Sequence, residues 1–132
     1  MPYLLDTNIL SDLIRFPEGK VAAKIRVVGT QAIRTSIVTA AEMRFGAQRK
    51  GSRRLEQRLD QLFKVVKVVP LLEPVDRMYG DIRARLEKAG TLISGNDMLI
   101  AAQALVLGDI VVTNNEREFR RVSGLQVENW LR

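Results

Sequence analysis

Several carboxylate and amide side chains are placed where a metal-dependent reaction is possible. The apolar run YLLD at residues 3–6 ends in an acid. Another acid lies in the stretch SIVTAAEMRFGAQ and another in NDMLIAAQAL. The run DIVVT is followed by an amide and two acids. If these oxygen ligands converge, they suit Mg²⁺ or Mn²⁺ rather than zinc. The candidates are Asp6, Glu42, Asp97, Asn115, Glu116 and Glu118.

The chemistry that such a cluster predicts is hydrolysis of a phosphodiester. A cation held by carboxylates binds phosphate oxygens, lowers the pKa of a bound water and orients it for in-line attack. The 132 residues include no cysteine and no histidine. Disulfides, Cys/His zinc sites, cysteine nucleophiles and Ser-His-Asp relays are therefore excluded, and catalysis must rest on carboxylates, amides, hydroxyls or lysine.

Three of these candidates also have purely structural interpretations. Thr39 and Glu42 have the spacing of a capping box, in which the glutamate bonds to the backbone at the start of its own helix. Asp97 would stabilise the positive end of a helix dipole. Asn115 is a common turn residue. The residue pattern by itself leaves both interpretations open.

The elements that must position these side chains alternate along the chain. Strand-like runs occupy residues 3–6, 32–36, 68–70 and 109–113, with a weaker candidate at 125–129, and helical periodicity fills the intervals. This alternation predicts an α/β fold, a mostly parallel central sheet of four to five strands with helices on both faces. Ligand chemistry in such sheets collects beyond the carboxyl ends of the strands, where Asp6 is expected.

Helical spacing predicts the surroundings of several side chains. The clearest helix covers residues 74–89, and a leucine-rich stripe over 55–66 predicts a second one. Around Glu42, the apolar residues Val38, Ala41 and Phe45 predict a face turned inward. A carboxylate beside such a face is costly unless it is paired or bound to a metal.

The positive charge is concentrated in one segment. The chain carries a formal charge of +6, and residues 44–67 by themselves account for that excess. Such a stripe attracts polyanions, and nucleic acid or an acidic protein is the expected partner, although a solvated helix face is an alternative. The candidate RNA-binding residues are Arg44, Arg49, Lys50, Arg53 and Arg54. No apolar stretch approaches the ~20 residues of a membrane span, which predicts a cytoplasmic protein.

Four blocks of the sequence, in order and covering nearly the whole chain, resemble a known family. They are LLDTNILSDL, SIVTAAEMRFGA, YGDIRARLEKAGTLISGNDMLIAAQAL and VVTNNEREFRRVSGLQVENW. The chain closely resembles the PIN-domain ribonucleases, and specifically the VapC-type toxins of bacterial toxin–antitoxin pairs. The resemblance implies a single PIN domain over residues 1–132.

The resemblance also implies roles for individual residues. Asp6, Glu42 and Asp97 correspond to metal ligands of the family, and Asn115 stands at its fourth position, where many PIN domains have aspartate. Small hydroxyl residues brace such sites, and here they are Thr7, Ser36 and Thr113, for which capping and strand-end roles are the alternative. The implied reaction is Mg²⁺-dependent hydrolysis of RNA that leaves a 5′-phosphate and a 3′-hydroxyl.

The partners implied by the resemblance are an RNA substrate, a protein inhibitor and a second copy of the chain. For VapC-like toxins the RNA is typically structured, such as tRNA, and the expected inhibitor is a VapB-type antitoxin through which the pair binds DNA. A homodimer is also expected. The basic residues between 44 and 67 would hold the RNA backbone by a salt-sensitive interaction.

Two other functions are compatible with parts of the pattern. A haloacid dehalogenase phosphatase also has an aspartate after its first strand, but it uses Asp-x-Asp, and here Asn8 replaces the second acid. A PIN-like subunit of a DNA-binding regulatory complex, with weak or no nuclease activity, is favoured by the neutral Asn115. Dependence of RNA cleavage on Mg²⁺ and on Asp6 separates these functions.

Overall fold

The computed structural model describes residues 2–132 and contains a five-stranded sheet in which every neighbouring pair is parallel. The strand order is β3-β2-β1-β4-β5. This confirms the predicted α/β fold and all five strand-like runs, with each end within about two residues of the prediction. The strands are β1 Tyr3–Leu5, β2 Ile33–Ser36, β3 Lys67–Val69, β4 Ile110–Val112 and β5 Val127–Glu128.

Helices fill the intervals between the strands, and both helices that the spacing predicts are present. In residues 2–132 no helix is long and apolar enough to cross a membrane. A 3₁₀ turn at Thr30–Ala32 precedes β2. The helices are α1 Thr7–Arg15, α2 Lys20–Val28, α3 Ile37–Lys50, α4 Arg53–Val65, α5 Val75–Ala89, α6 Gly95–Leu107 and α7 Glu116–Phe119.

The core consists of two apolar layers, one on each face of the sheet. Successive strand residues point to opposite faces, so Leu4 and Val111 pack with α5, α6 and α7, whereas Leu5 and Val112 pack with α1 to α4. Trp130, near the C-terminus, joins the second layer. These strands are therefore buried on both sides, as parallel strands require.

The strand order reverses beside β1. The chain builds β2 and β3 on one side of β1 and then returns to build β4 and β5 on the other. The carboxyl ends of β1 and β4 therefore border the crevice where ligands bind in open α/β sheets. Asp6 follows β1 directly and its backbone N–H donates to the carbonyl of Val112 at 2.9 Å, while Thr113 follows β4.

An ion pair closes the opposite end of the same sheet. Arg34 of β2 donates from Nε and Nη2 to the two carboxylate oxygens of Asp109, each at 2.7 Å, across the amino end of β1. Asp109 is only 3% exposed. Its hydrogen bonds raise the pKa of the Arg34 guanidinium, which therefore stays charged.

The inward face predicted for α3 is wrong at two of its three residues, although Val38 is partly buried against the core. Phe45 is 63% exposed and Ala41 is exposed as well, and the residues of α3 that enter the core are instead Ala40, Met43 and Ala47. The apolar face around Glu42 was misassigned because α3 carries two apolar stripes, and spacing does not say which one meets the sheet. Glu42 consequently lies on a partly exposed face.

Candidate functional site

Asp6 is the most buried acid at the carboxyl end of the sheet. It caps α1, and its Oδ1 accepts a hydrogen bond from the Thr7 backbone N–H at 2.8 Å. Its Oδ2 accepts from the Thr113 hydroxyl at 2.9 Å. Asp6 is 6% exposed, and this burial raises the pKa of its carboxyl, while the two hydrogen bonds act in the opposite direction. The only donors bonded to this buried acid in residues 2–132 are thus neutral.

A chain of hydrogen bonds connects Asp6 to two further acids. The Thr113 Oγ1 that donates to Asp6 also accepts from the Asn115 backbone N–H at 2.9 Å. The Asn115 amide Nδ2 donates to Asp97 Oδ2 at 3.1 Å and also to Glu118 Oε2. Asn115 therefore places a neutral donor between two carboxylates, where an aspartate would add a third negative charge.

Asp97 lies in the first turn of α6. Ser94 caps this helix, and its Oγ accepts from the Asp97 backbone N–H at 3.1 Å. Partial burial and the nearby charge of Asp6 raise the pKa of Asp97, and the hydrogen bonds from Ser94 and Asn115 only partly offset this. The position at a helix start predicted from the sequence is confirmed, and the carboxylate points to the other acids as well.

Glu42 reaches the same pocket from α3. Partial burial raises the pKa of its carboxyl, the charges of Asp6 and Asp97 raise it further, and a hydrogen bond with Asn96 lowers it. The alternative capping box is not formed, because α3 begins at Ile37 and its cap is Ser36, which accepts from the Val38 N–H at 3.1 Å.

These acids line one polar pocket of about 280 Å³ beyond β1 and β4. In residues 2–132 no lysine or arginine forms an ion pair with any of them. No three acids in that range are close enough to hold one ion as they stand. The donor set nevertheless fits a hard divalent cation, since it consists of mutually repelling carboxylates with raised pKa values. The lining residues are Asp6, Thr7, Asn8, Glu42, Asp97, Asn114 and Asn115.

The predicted supporting residues divide into two groups. Thr113 and Glu118 belong to the hydrogen-bonded acid cluster, and Thr7 contributes its backbone N–H, while its buried hydroxyl has no hydrogen-bond partner. Ser36 is buried and only caps α3. Glu116 turns away from the acids to pair with Arg120 and Arg132, which lower the pKa of its carboxyl together with Asn129.

A groove of about 670 Å³ runs from the acid pocket between α1, α3 and α4. Glu42, Thr7 and Asn96 line the end next to the acids, and the rest of the lining includes apolar residues and four basic ones: Arg15, Arg49, Lys50 and Arg58. We call this surface the first basic groove. Sequence reasoning selected Arg49 and Lys50, but it missed the role of Arg15, because only the packing of α1 against α3 brings Arg15 to this surface.

The other predicted RNA-binding residues are placed differently. Arg44 pairs with Asp60 at 2.8 Å and lies over the Phe63 ring at 5.3 Å, so it links α3 to α4. Arg53 and Arg54 are exposed at the start of α4 and do not line the first basic groove.

Comparison with known proteins agrees with this architecture. The PIN domain family model matches residues 3–125. The chain belongs to the PIN domain family. Among relatives of this PIN domain, Ribonuclease VapC2 of Rickettsia felis is 31% identical, with 98% of both chains covered. The tRNA(fMet)-specific endonuclease VapC of Shigella flexneri is 34% identical, again with 98% of both covered.

A solved structure has the same fold. The crystal structure of VapBC2 from Rickettsia felis, bound to a DNA fragment from its promoter, superposes with a TM-score of 0.88 at 30% identity. The superposition covers 98% of this PIN domain and 99% of the other chain. The family resemblance that the four sequence blocks predict is therefore confirmed.

Proposed function

We propose that this PIN domain is the endoribonuclease toxin of a VapBC-type toxin–antitoxin pair and that it hydrolyses RNA phosphodiesters with a bound divalent cation. The observation that carries the proposal is the set of uncompensated acids at the strand-order reversal. Asp6, Glu42 and Asp97 share one pocket without a cationic partner in residues 2–132, and a basic groove opens directly from it.

Asp6, Glu42 and Asp97 would hold Mg²⁺, with Mn²⁺ as a substitute. When bound, the ion would supply charge for the scissile phosphate and an acidified water as nucleophile. Glu118, which Asn115 connects to Asp97, is a fourth acid of the same cluster. The amide of Asn115 limits the negative charge there, which favours one tightly held ion over two.

The side chains around the acids have separate tasks. The Thr113 hydroxyl fixes the rotamer of Asp6 and orients the Asn115 backbone, so one residue connects two of the acid-bearing segments. Arg49, Lys50 and Arg58 would bind RNA phosphates on the approach to the pocket. Because the chain has no histidine, attack by the RNA 2′-hydroxyl lacks its usual acid–base pair.

The proposed partners follow from the relatives. A structured RNA such as tRNA is the proposed substrate, supported by the name of the Shigella relative. A VapB-type antitoxin is the proposed inhibitor, through which the pair would contact DNA, supported by the Rickettsia complex with promoter DNA. We also propose a homodimer, with the single domain of each copy spanning residues 1–132.

The test is cleavage of total bacterial RNA by the purified protein and by Asp6→Asn, with Mg²⁺, Mn²⁺ or EDTA. Sequencing of the new 5′-phosphate ends is expected to give discrete cuts that require both the cation and Asp6. Absence of cleavage by the folded, antitoxin-free protein with either cation would overturn the proposal. It would favour the alternative, a regulatory subunit of a DNA-bound complex.

A further inference from the structure

A second groove lies between α2 and the C-terminal segment. It has a volume of about 590 Å³, and its lining includes four exposed basic residues: Lys20, Lys24, Arg120 and Arg132. None of them belongs to the basic segment 44–67. We call this surface the second basic groove.

The charge of this groove is only partly compensated. Arg120 and Arg132 share the carboxylate of Glu116, at 3.2 and 2.8 Å. Glu128, the only acid among the described residues that line the groove, accepts a hydrogen bond from the Trp130 indole N–H at 3.0 Å. In residues 2–132 neither Lys20 nor Lys24 forms an ion pair. These two lysines therefore present free positive charge one helical turn apart on α2.

The second basic groove adjoins the acid pocket through two asparagines. Asn129, which lines the groove, donates from Nδ2 to Asn114 Oδ1 at 3.2 Å and to Glu116 Oε2 at 3.1 Å. Asn114 lines the acid pocket. The first basic groove meets the same pocket at Thr7 and Glu42. Two basic surfaces therefore adjoin the acid pocket through different residues, one at Thr7 and Glu42 and the other at Asn114.

We infer that the second basic groove is a phosphate-backbone site for the RNA substrate, with Lys20 and Lys24 as its main contacts. This inference rests on the proposed ribonuclease function. A polyanion that crosses the acid pocket meets cations on both sides, and these offset the repulsion between its phosphates and the acids. The groove therefore selects RNA long or folded enough to reach both surfaces. An acidic protein segment fits less well, because the groove adjoins the acid pocket, where the proposed reaction takes place.

The test compares two double variants with equal loss of charge. Lys20→Ala/Lys24→Ala removes the free charges of the groove, and Arg77→Ala/Lys88→Ala is the matched control on α5, where neither residue lines either groove or the pocket. Alanine suits exposed helical positions, so both variants should fold. Binding of labelled bulk bacterial tRNA is measured between 50 and 300 mM KCl in an Asp6→Asn background, which keeps the RNA intact.

The lysine variant is expected to bind tRNA about tenfold more weakly at low salt. The slope of log K against log salt should fall by about 2, because roughly one unit is lost for each phosphate contact. The control should keep the parental slope. In the cleaving background, the lysine variant should raise KM for RNA and leave kcat unchanged.

Failure of the inference is distinguishable from failure of the proposed function. If the parent cleaves RNA but the lysine variant keeps the slope and KM of the control, the second basic groove is not an RNA site. If the lysine variant loses binding to poly-glutamate but binds tRNA as the parent does, the inference is also overturned and the groove is a protein-docking surface. If the parent neither binds nor cleaves RNA, the proposed function itself fails.

Discussion

Two aspartates are buried to nearly the same depth at opposite ends of one sheet, and their partners differ completely. Asp109, before β4, is 3% exposed and receives two charge-assisted hydrogen bonds from Arg34. Asp6, after β1, is 6% exposed, and within residues 2–132 it receives bonds only from a backbone N–H and a threonine hydroxyl. The buried charge of Asp109 is therefore neutralised by a residue of the same chain, whereas in residues 2–132 that of Asp6 is not.

The difference matches the two proposed roles, structural for Asp109 and catalytic for Asp6. Burying a carboxylate costs several kcal/mol unless a counter-charge is supplied. Arg34 supplies it for Asp109, so that this acid stabilises the fold. Asp6 lies beside Glu42 and Asp97, whose pKa values are also raised, and in the proposed function a bound cation supplies the compensating charge.

The largest expected effect is on catalysis at the uncompensated end. Asp6→Asn keeps the shape of the side chain but removes a proposed metal ligand, and kcat for RNA cleavage should fall by on the order of 10³-fold, since the metal's charge stabilisation is worth several kcal/mol. Thermal unfolding in EDTA should show no loss of stability, because a buried charge is removed. A clear drop in melting temperature together with retained cleavage would instead assign Asp6 a structural role.

The opposite pattern is expected at the compensated end. Asp109→Ala leaves the Arg34 guanidinium without its partner, and the free energy of unfolding should fall by about 3 kcal/mol. Urea denaturation measures this loss. At a temperature where the variant remains folded, kcat should match that of the parent protein, because the ion pair and the acid pocket lie at opposite ends of the sheet.

Two fully buried threonines provide a finer comparison. Thr113 bonds to Asp6, whereas Thr35 donates to the backbone carbonyl of Leu5 at 2.7 Å. Thr113→Val should lower kcat by about 10- to 100-fold, as loss of a residue that orients a metal ligand does, and Thr113→Ser should restore it. Thr35→Val should cost about 1 kcal/mol of stability with unchanged kcat. Equal kcat losses in the two valine variants would contradict this difference.

The smallest expected effect is on the pH dependence of stability without metal. The pKa values of Asp6, Glu42 and Asp97 are raised in the folded protein, so the unfolded chain ionises first as the pH increases. Their contribution to stability is complete below the normal carboxyl pKa and is lost as the pH rises through the raised values. In EDTA the melting temperature of Asp6→Asn should therefore fall less than that of the parent over this range.

Saturating Mg²⁺ provides the complementary measurement. In the proposed site the ion would bind only the folded protein with all three carboxylates ionised, so it should raise the melting temperature most at neutral pH. A shift of similar size in Asp6→Asn would show that the ion binds elsewhere.

Prediction from the sequence succeeded where residue type and position along the chain were enough to place a side chain. Asp6 was predicted at the end of the first strand because an apolar run stops there, and the α/β alternation placed Asn115 near the same edge. The face of α3 was wrong because Phe45 and Met43 belong to two apolar stripes of similar strength, and only contact with the sheet decides which one is buried.

The surroundings of the other charged residues were harder to predict than those of Asp6, Glu42 and Asp97. Glu116 and Glu118 are two positions apart on a short helix, so their side chains diverge, and only Glu118 reaches the acid cluster. Arg44 belongs to the basic segment but is held by Asp60. Lys20 and Lys24 were not predicted as RNA-binding residues. They lie beside the C-terminal segment only because of long-range packing, which no local sequence pattern shows.

The hydrogen bond between Thr113 and Asp6 joins residues that are 107 positions apart. Strand β1 lies at the centre of the sheet, yet its neighbour β4 is among the last strands to be made. During translation, Asp6 therefore leaves the ribosome long before the residues that orient it exist, and such distant contacts form late in folding. The acid pocket cannot be complete before Thr113 and Asn115 have been synthesised, so no shorter nascent chain presents the finished site to the ribosome.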